Sequence, residues 1–218
     1  MPEFSLFTSF AEMSLKEWLL FGILAFAAIV LVLLALRNRK KVSEPSTFDT
    51  RALVYGALAI SLAFVLSYIR LFHMPQGGSI TPGSMLPVFV YAYWYGPKKG
   101  LIVGLAYAAL QMIQDAWFVH PAQILLDYIF AFGLLSAAGF FKKNLYLGIA
   151  VGGMIRFVCH WVSGAIFFAE YAPEGVNPWM YSLGYQASSI LPDLIICIAI
   201  AVLLKKTIDR IRPTLLSA

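Results

Sequence analysis

The sequence predicts an all-α integral membrane protein with about seven membrane-spanning segments. Three observations carry that reading. Apolar residues make up 61% of the 218-residue chain and charged residues only 12%, with a mean hydropathy of +0.79. A soluble domain needs about a quarter of its residues charged to cover its surface. The apolar residues are gathered into runs, most of them near the roughly 20 residues that cross about 30 Å of hydrocarbon. Basic residues cluster on alternate loops between those runs, as the cytoplasmic loops of a polytopic protein do.

Taken in order, the runs cover residues 18–36, 52–72, 85–95, 101–118, 123–141, 145–168 and 179–204. The first is preceded by Glu12 and Glu17 and followed by Arg37, Arg39, Lys40 and Lys41. A cleavable signal peptide carries its positive charge in front, so this run is expected to stay as an anchor. A polar, proline-bearing linker (residues 43–47) separates it from the six runs that follow. The run at 85–95 is short, and is expected either to extend back through Gly83 or to lie tilted.

Arg37 to Lys41, Arg51, Lys98, Lys99, Lys142, Lys143, Lys205, Lys206, Arg210 and Arg212 fall on one side of the resulting topology. The positive-inside rule makes that side cytoplasmic, with the N-terminus outside and the C-terminus inside. The net charge of +5 is therefore not a nucleic-acid-binding face, because its residues sit in short clusters between spans. Cys159 and Cys197 lie within apolar runs and read as small core residues, too few for a disulfide framework or a metal site. No matched pair of broken helices marks an inverted repeat. No G-x-x-x-x-G-K-[ST] loop is present, so the chain is not itself an ATPase.

Polar residues inside a span need a partner or a function, and here they gather at one depth. Asp127 and Tyr128 lie one turn inside the outer end of their run, and His160 and Ser163 lie in the outer half of the next. Tyr181, Ser182, Tyr185, Gln186 and Ser188 stand near the outer start of the last, and Trp117 precedes the loop at His120. His160 and Gly164 share a helix face with Phe168 one turn on. A carboxylate, a histidine, an amide and several aromatics suit a small, flat ligand, polar at its edge and compatible with positive charge. Each also has a plainer reading: Trp and Tyr populate membrane interfaces, and an intramembrane His often bridges helices. Arg156 and Asp193 lie deeper and are expected to pair with each other. Ala57, Ser61, Ala59 and Ala63 provide small-residue spacings on which another helix can pack, inside the protein or from a partner.

The segments 73–79, 120–128, 160–164 and 179–183 resemble, in order and spacing, the thiamine-specific substrate-binding (S) component of energy-coupling factor (ECF) transporters. These are vitamin importers of many Gram-positive bacteria. The resemblance runs from about Tyr55 to Lys206 and leaves out the N-terminal run. It implies a six-helix bundle plus one extra N-terminal transmembrane helix: an anchor and linker over 1–45, a substrate-binding domain over 46–212 and a tail over 213–218. It implies an outward pocket with the loop at 72–84 as a lid, including Gln76, Gly77 and Gly78. The family's acidic position falls on Asp127, followed by Tyr128. Its histidine falls on His160, its small residue on Gly164, its last-helix tyrosine on Tyr181 and an aromatic position on Trp117. Two positions depart: Phe168 stands where the family can carry Trp, and Gln186 where it usually carries Asn.

The expected function is capture of thiamine from outside, with Asp127 either offsetting the thiazolium charge or accepting from the amino group. No cofactor or metal is expected. Import would require a transmembrane coupling subunit, met by the Ala57 to Ala63 surface, and two ATPase subunits in the cell membrane. The alternatives are an S component for a thiamine precursor or another vitamin, and a stand-alone ion-coupled transporter. An intramembrane hydrolase using Ser163 and His160 is disfavoured, because the two are three apart on one helix with no G-x-S-x-G elbow.

Overall fold

The computed structural model describes residues 50–115 and 121–216. The anchor expected over residues 18–36, the linker after it and Trp117 lie outside the described residues. What is described is a bundle of six main helices with one short 3-10 turn (Ala169–Tyr171) and one small hairpin. They are α1 (Thr50–Tyr68), β1 (Phe72–His73), β2 (Ser79–Ile80), α2 (Leu86–Tyr95), α3 (Pro97–Asp115), α4 (residues 121–140), α5 (Leu145–Phe167) and α6 (Pro178–Leu216).

Three of these are long and apolar enough to cross a membrane alone: Thr50–Tyr68, Leu145–Phe167 and Pro178–Arg212. The sequence runs suggested six such spans here, and the difference has physical causes. Helix α2 is ten residues long and buried on nearly every face, with Val88, Phe89, Tyr91 and Ala92 at 0–1% exposure. A helix apolar all round belongs in a core, and protein rather than lipid covers it. It does not extend back through Gly83, whose φ of +83° departs from helical geometry. Helix α3 carries Gln111 and Gln114, which form a polar network with Ser67 of α1 and lower its apolar character. Helix α4 changes pitch along its length, from α (Pro121–Ile124) through π (Leu125–Phe130) and a short α turn to 3-10 (Leu134–Phe140).

Local sequence explains where the long helices begin. Asn144 caps α5 by accepting from the Leu147 N–H at 3.1 Å. Asn177 does the same for α6, accepting from the Trp179 N–H at 2.9 Å, with Pro178 as the first helical residue. α6 runs beyond the expected end at residue 204 because its last turns are tied down. Tyr93 Oη donates to Asp209, Trp94 Nε1 donates to the Ile208 carbonyl, and Arg212 reaches the Lys142 carbonyl while lying 4.4 Å from the Tyr93 ring centre.

Close helix approach depends on missing side chains. A Cβ on Gly139 of α4 would stand 2.5 Å from Pro97 N, 2.6 Å from Gly96 C and 2.7 Å from Ala92 O. All three are backbone atoms at the α2–α3 corner and cannot rotate away. Gly139→Ala is therefore expected to destabilise the protein by about 2–3 kcal/mol, read as a lowered melting temperature in detergent.

The small residues of α1 divide between two faces. Ala63 is fully buried, with its carbonyl accepting from Tyr107 Oη at 3.4 Å, and Ala59 packs against the core. Ala57 and Ser61 are exposed beside Leu58 and Leu62. Ala63 is thus not available to a partner, because residues two apart on a helix point in nearly opposite directions. Ala57 and Ser61 remain on the outward face.

Candidate ligand-binding site

Alternating helix directions bring the C-terminal ends of α1, α3 and α5 and the N-terminal ends of α4 and α6 to one end of the bundle. The segment after α1 folds over that end as a hairpin, pairing Phe72 with Ile80 and His73 with Ser79. Its turn uses Gly77 and Gly78 at φ of +86° and +85°, a backbone conformation natural only to glycine. Beneath it lies a cavity of about 260 Å³.

The π segment of α4 supplies the acidic residue. Its wider turn changes the angular step between successive side chains, and π turns recur at functional sites. Asp127 and Tyr128 are both buried at 8% exposure and both line the cavity. Asp127 is held by hydrogen bonds on Oδ2. Oδ2 accepts from Gln123 Nε2 at 2.9 Å and Ser163 Oγ at 2.8 Å, and Oδ1 faces His160 Nδ1 at 2.9 Å. A neutral ring with its proton on Nδ1, the nitrogen beside that carboxylate, has Nε2 as an acceptor. Nε2 is buried with no partner among the described residues, and His160 lines the cavity. A buried polar atom without a partner costs about 1–3 kcal/mol, so this nitrogen is open to a polar group entering the cavity.

The remaining walls come from α5 and α6. Gly164 lies where the two helices touch, facing Ser182, whose Oγ donates to the Trp161 carbonyl at 2.8 Å. The Gln186 amide is nearby and makes no hydrogen bond among the described residues, and Phe168 and Tyr181 add aromatic faces. Asp127, Tyr128, His160, Gly164, Phe168, Tyr181 and Gln186 thus all line one cavity, together with Gln76, Gly77 and Gly78 of the hairpin.

One sequence expectation is corrected. Arg156 and Asp193 do not bridge each other. Asp193 accepts from the Thr81 N–H at 3.0 Å and the Thr81 hydroxyl at 2.7 Å, fastening the base of the hairpin to α6. The Arg156 guanidinium lies 4.1 Å from the Phe132 ring centre, and its buried Nε has no partner among the described residues. Both line the cavity, so they belong to the site. Their depth in apolar runs was the signal for them; the Thr81 backbone N–H that claims Asp193 had none. Ser67, Gln111 and Gln114 also line the cavity, although neutral residues near helix ends carry little signal in sequence.

Comparison with known proteins adds a family. Residues 53–212 match the family model described as "Thiamine transporter protein (Thia_YuaJ)". A Bacillus subtilis (strain 168) protein, thiamine transporter ThiT, is 34% identical over 178 residues, spanning 73% of this chain and 92% of the relative. A Lacticaseibacillus paracasei protein of the same description is 27% identical over 161 residues, 66% of this chain and 73% of the relative. The solved structure of ThiT from Listeria monocytogenes superposes with a TM-score of 0.64 at 25% identity, covering 75% of this chain and 96% of that one.

Proposed function

The chain belongs to the thiamine transporter protein family, and on that premise we propose that its lidded cavity is the pocket in which thiamine is captured for import. It is a multi-pass plasma-membrane transport protein and not an enzyme. The observation that carries the pocket assignment is the Asp127–His160 contact, with the buried His160 Nε2 left without a partner among the described residues.

Thiamine has an aminopyrimidine, a cationic thiazolium and a hydroxyethyl arm, and the wall offers a counterpart to each. His160 Nε2 accepts from the pyrimidine amino group, and the Gln186 amide pairs with the ring edge. Asp127 contributes the negative charge that balances the thiazolium; its Oδ2 is engaged by Gln123 and Ser163, and its Oδ1 lies 2.9 Å from His160 Nδ1. Phe168 and Tyr181 provide π faces for the two rings. Arg156 Nε is the donor left for the oxygen of the arm. A site with this many polar groups rejects analogues that leave them unpaired.

Capture alone does not drive uptake. In the reading we favour, the chain is an S component that joins a transmembrane coupling subunit and two ATPases. It presents Ala57 and Ser61 of α1 to that partner and releases thiamine inside. The pocket then faces outward, with the N-terminus outside and the C-terminus cytoplasmic. The arrangement of basic residues supports this orientation.

Isothermal titration calorimetry on detergent-purified protein tests the pocket. Thiamine is expected to bind at one saturable site, and the isolated aminopyrimidine far more weakly, since it lacks the charge and the arm. No binding of thiamine by folded protein would remove the assignment and turn attention to thiamine precursors.

A further inference from the structure

We propose that Tyr185 is the catch of the lid: its hydroxyl holds the hairpin tip closed over the cavity and sets how fast a bound ligand leaves. Only the kinetic part of this inference rests on thiamine capture; the closing of the lid can be read without ligand.

The geometry is specific. Tyr185 Oη accepts from the Gln76 N–H at 2.8 Å and donates to the Gly77 carbonyl at 2.9 Å. A tyrosine hydroxyl has one proton, and here that proton and a lone pair are given to consecutive residues of one turn. Both partners are backbone, so the contact registers the position of the tip and not its side chains.

The other bonds of the tip, residues 74–78, are internal. Met74 N donates to the Gly78 carbonyl and Gly77 N to the Met74 carbonyl. Among the described residues, the hydrogen bonds that tie the tip to the helices are the two made by Tyr185. The lid's second tie, from Thr81 to Asp193, lies at its base. Tyr185 and Asp193 are on the same helix, eight residues and about 12 Å apart along its axis. α6 is therefore the post to which the lid is fixed at its base and caught at its tip. Apart from Met74, which is buried at 8% exposure, the tip is open, with Pro75 and Gly78 exposed and nothing within 4 Å of a Cβ placed on Gly78. Losing the catch frees the tip while the base stays anchored.

Tyr185→Phe removes the oxygen and keeps the ring. The test places this change in a background carrying Cys159→Ala and Cys197→Ala, with spin labels at Pro75→Cys on the lid and Glu174→Cys on the opposite outer loop. Pulsed electron spin resonance without ligand is expected to show one narrow distance in the parent and a broader, longer distribution in the Phe variant. Thiamine dissociation, followed by stopped flow, is expected to be about ten- to thirtyfold faster, the order for two ordinary hydrogen bonds, with association changed less than about twofold. Either readout left unmoved overturns the proposal. Faster release with an unchanged distance would make Tyr185 a direct ligand contact and not a catch. If the parent binds no thiamine, the thiamine reading fails and the distance measurement alone decides whether Tyr185 holds the lid.

Discussion

Asp127→Asn is expected to weaken thiamine binding at least about 100-fold, by two routes that act together. The first is charge: the substitution removes a buried negative group beside the place of a cationic ring. The second is hydrogen-bond polarity. The carboxylate accepts from two donors at Oδ2, Gln123 Nε2 and Ser163 Oγ, and sets Oδ1 2.9 Å from His160 Nδ1, whereas an amide offers one accepting oxygen and one donating nitrogen. If the amide oxygen stays with Gln123 and Ser163, its nitrogen faces His160 Nδ1. The imidazole must then move its proton to Nε2, and the acceptor shown to the ligand becomes a donor. If the amide turns over, two donors meet at Gln123. Calorimetric titration of the variant beside Asp127→Glu checks this. The Glu form keeps the charge and is expected to lose less. A change under about threefold in the Asn form would mean that Asp127 only holds the helices together.

The second large effect is expected at Gly164. A Cβ there would overlap Ser182 Oγ, with Ser182 Cβ at 3.3 Å and the Gln186 amide nitrogen at 3.5 Å. Ser182 is 3% exposed and donates to the Trp161 carbonyl, so it yields only by breaking that bond or by opening the α5–α6 seam. Gly164→Ala is expected to cost about 1–3 kcal/mol of stability and at least about tenfold in thiamine affinity, because Gln186 is displaced with the seam. Adding Ser182→Gly to Gly164→Ala removes the overlap and is expected to recover most of the stability. Neighbouring substitutions of this kind are far from additive, and melting curves of the four proteins in the cycle measure the coupling. Additive losses would place the effect of Gly164 elsewhere.

Much of the site is legible in the chain because membrane-embedded polar residues are few. Asp127, His160, Tyr181 and Gln186 stand out against apolar neighbours, and converge once the runs are folded back and forth. The residues that escaped the reading are those whose partners are set by three-dimensional placement. Arg156 and Asp193 are oppositely charged and similarly deep, so pairing is the economical expectation from sequence. The structure instead gives Asp193 to the Thr81 N–H and hydroxyl, and lays Arg156 over Phe132. Nothing in a one-dimensional pattern announces that a loop backbone will reach a carboxylate 112 residues away.

The sequence by itself determined that this is a helical membrane protein, where its apolar runs lie and which few polar side chains need an explanation. Composition and hydropathy suffice for that, because lipid penalises every unpaired polar group. The tertiary structure alone decided that α2 is an interior core helix, that Ala59 and Ala63 face inward, and that a π turn presents Asp127 to His160. It also decided that the lid is pinned to α6 at two points. These depend on helix rotation and on contacts between distant backbone atoms, and the order of residues along the chain carries no record of either.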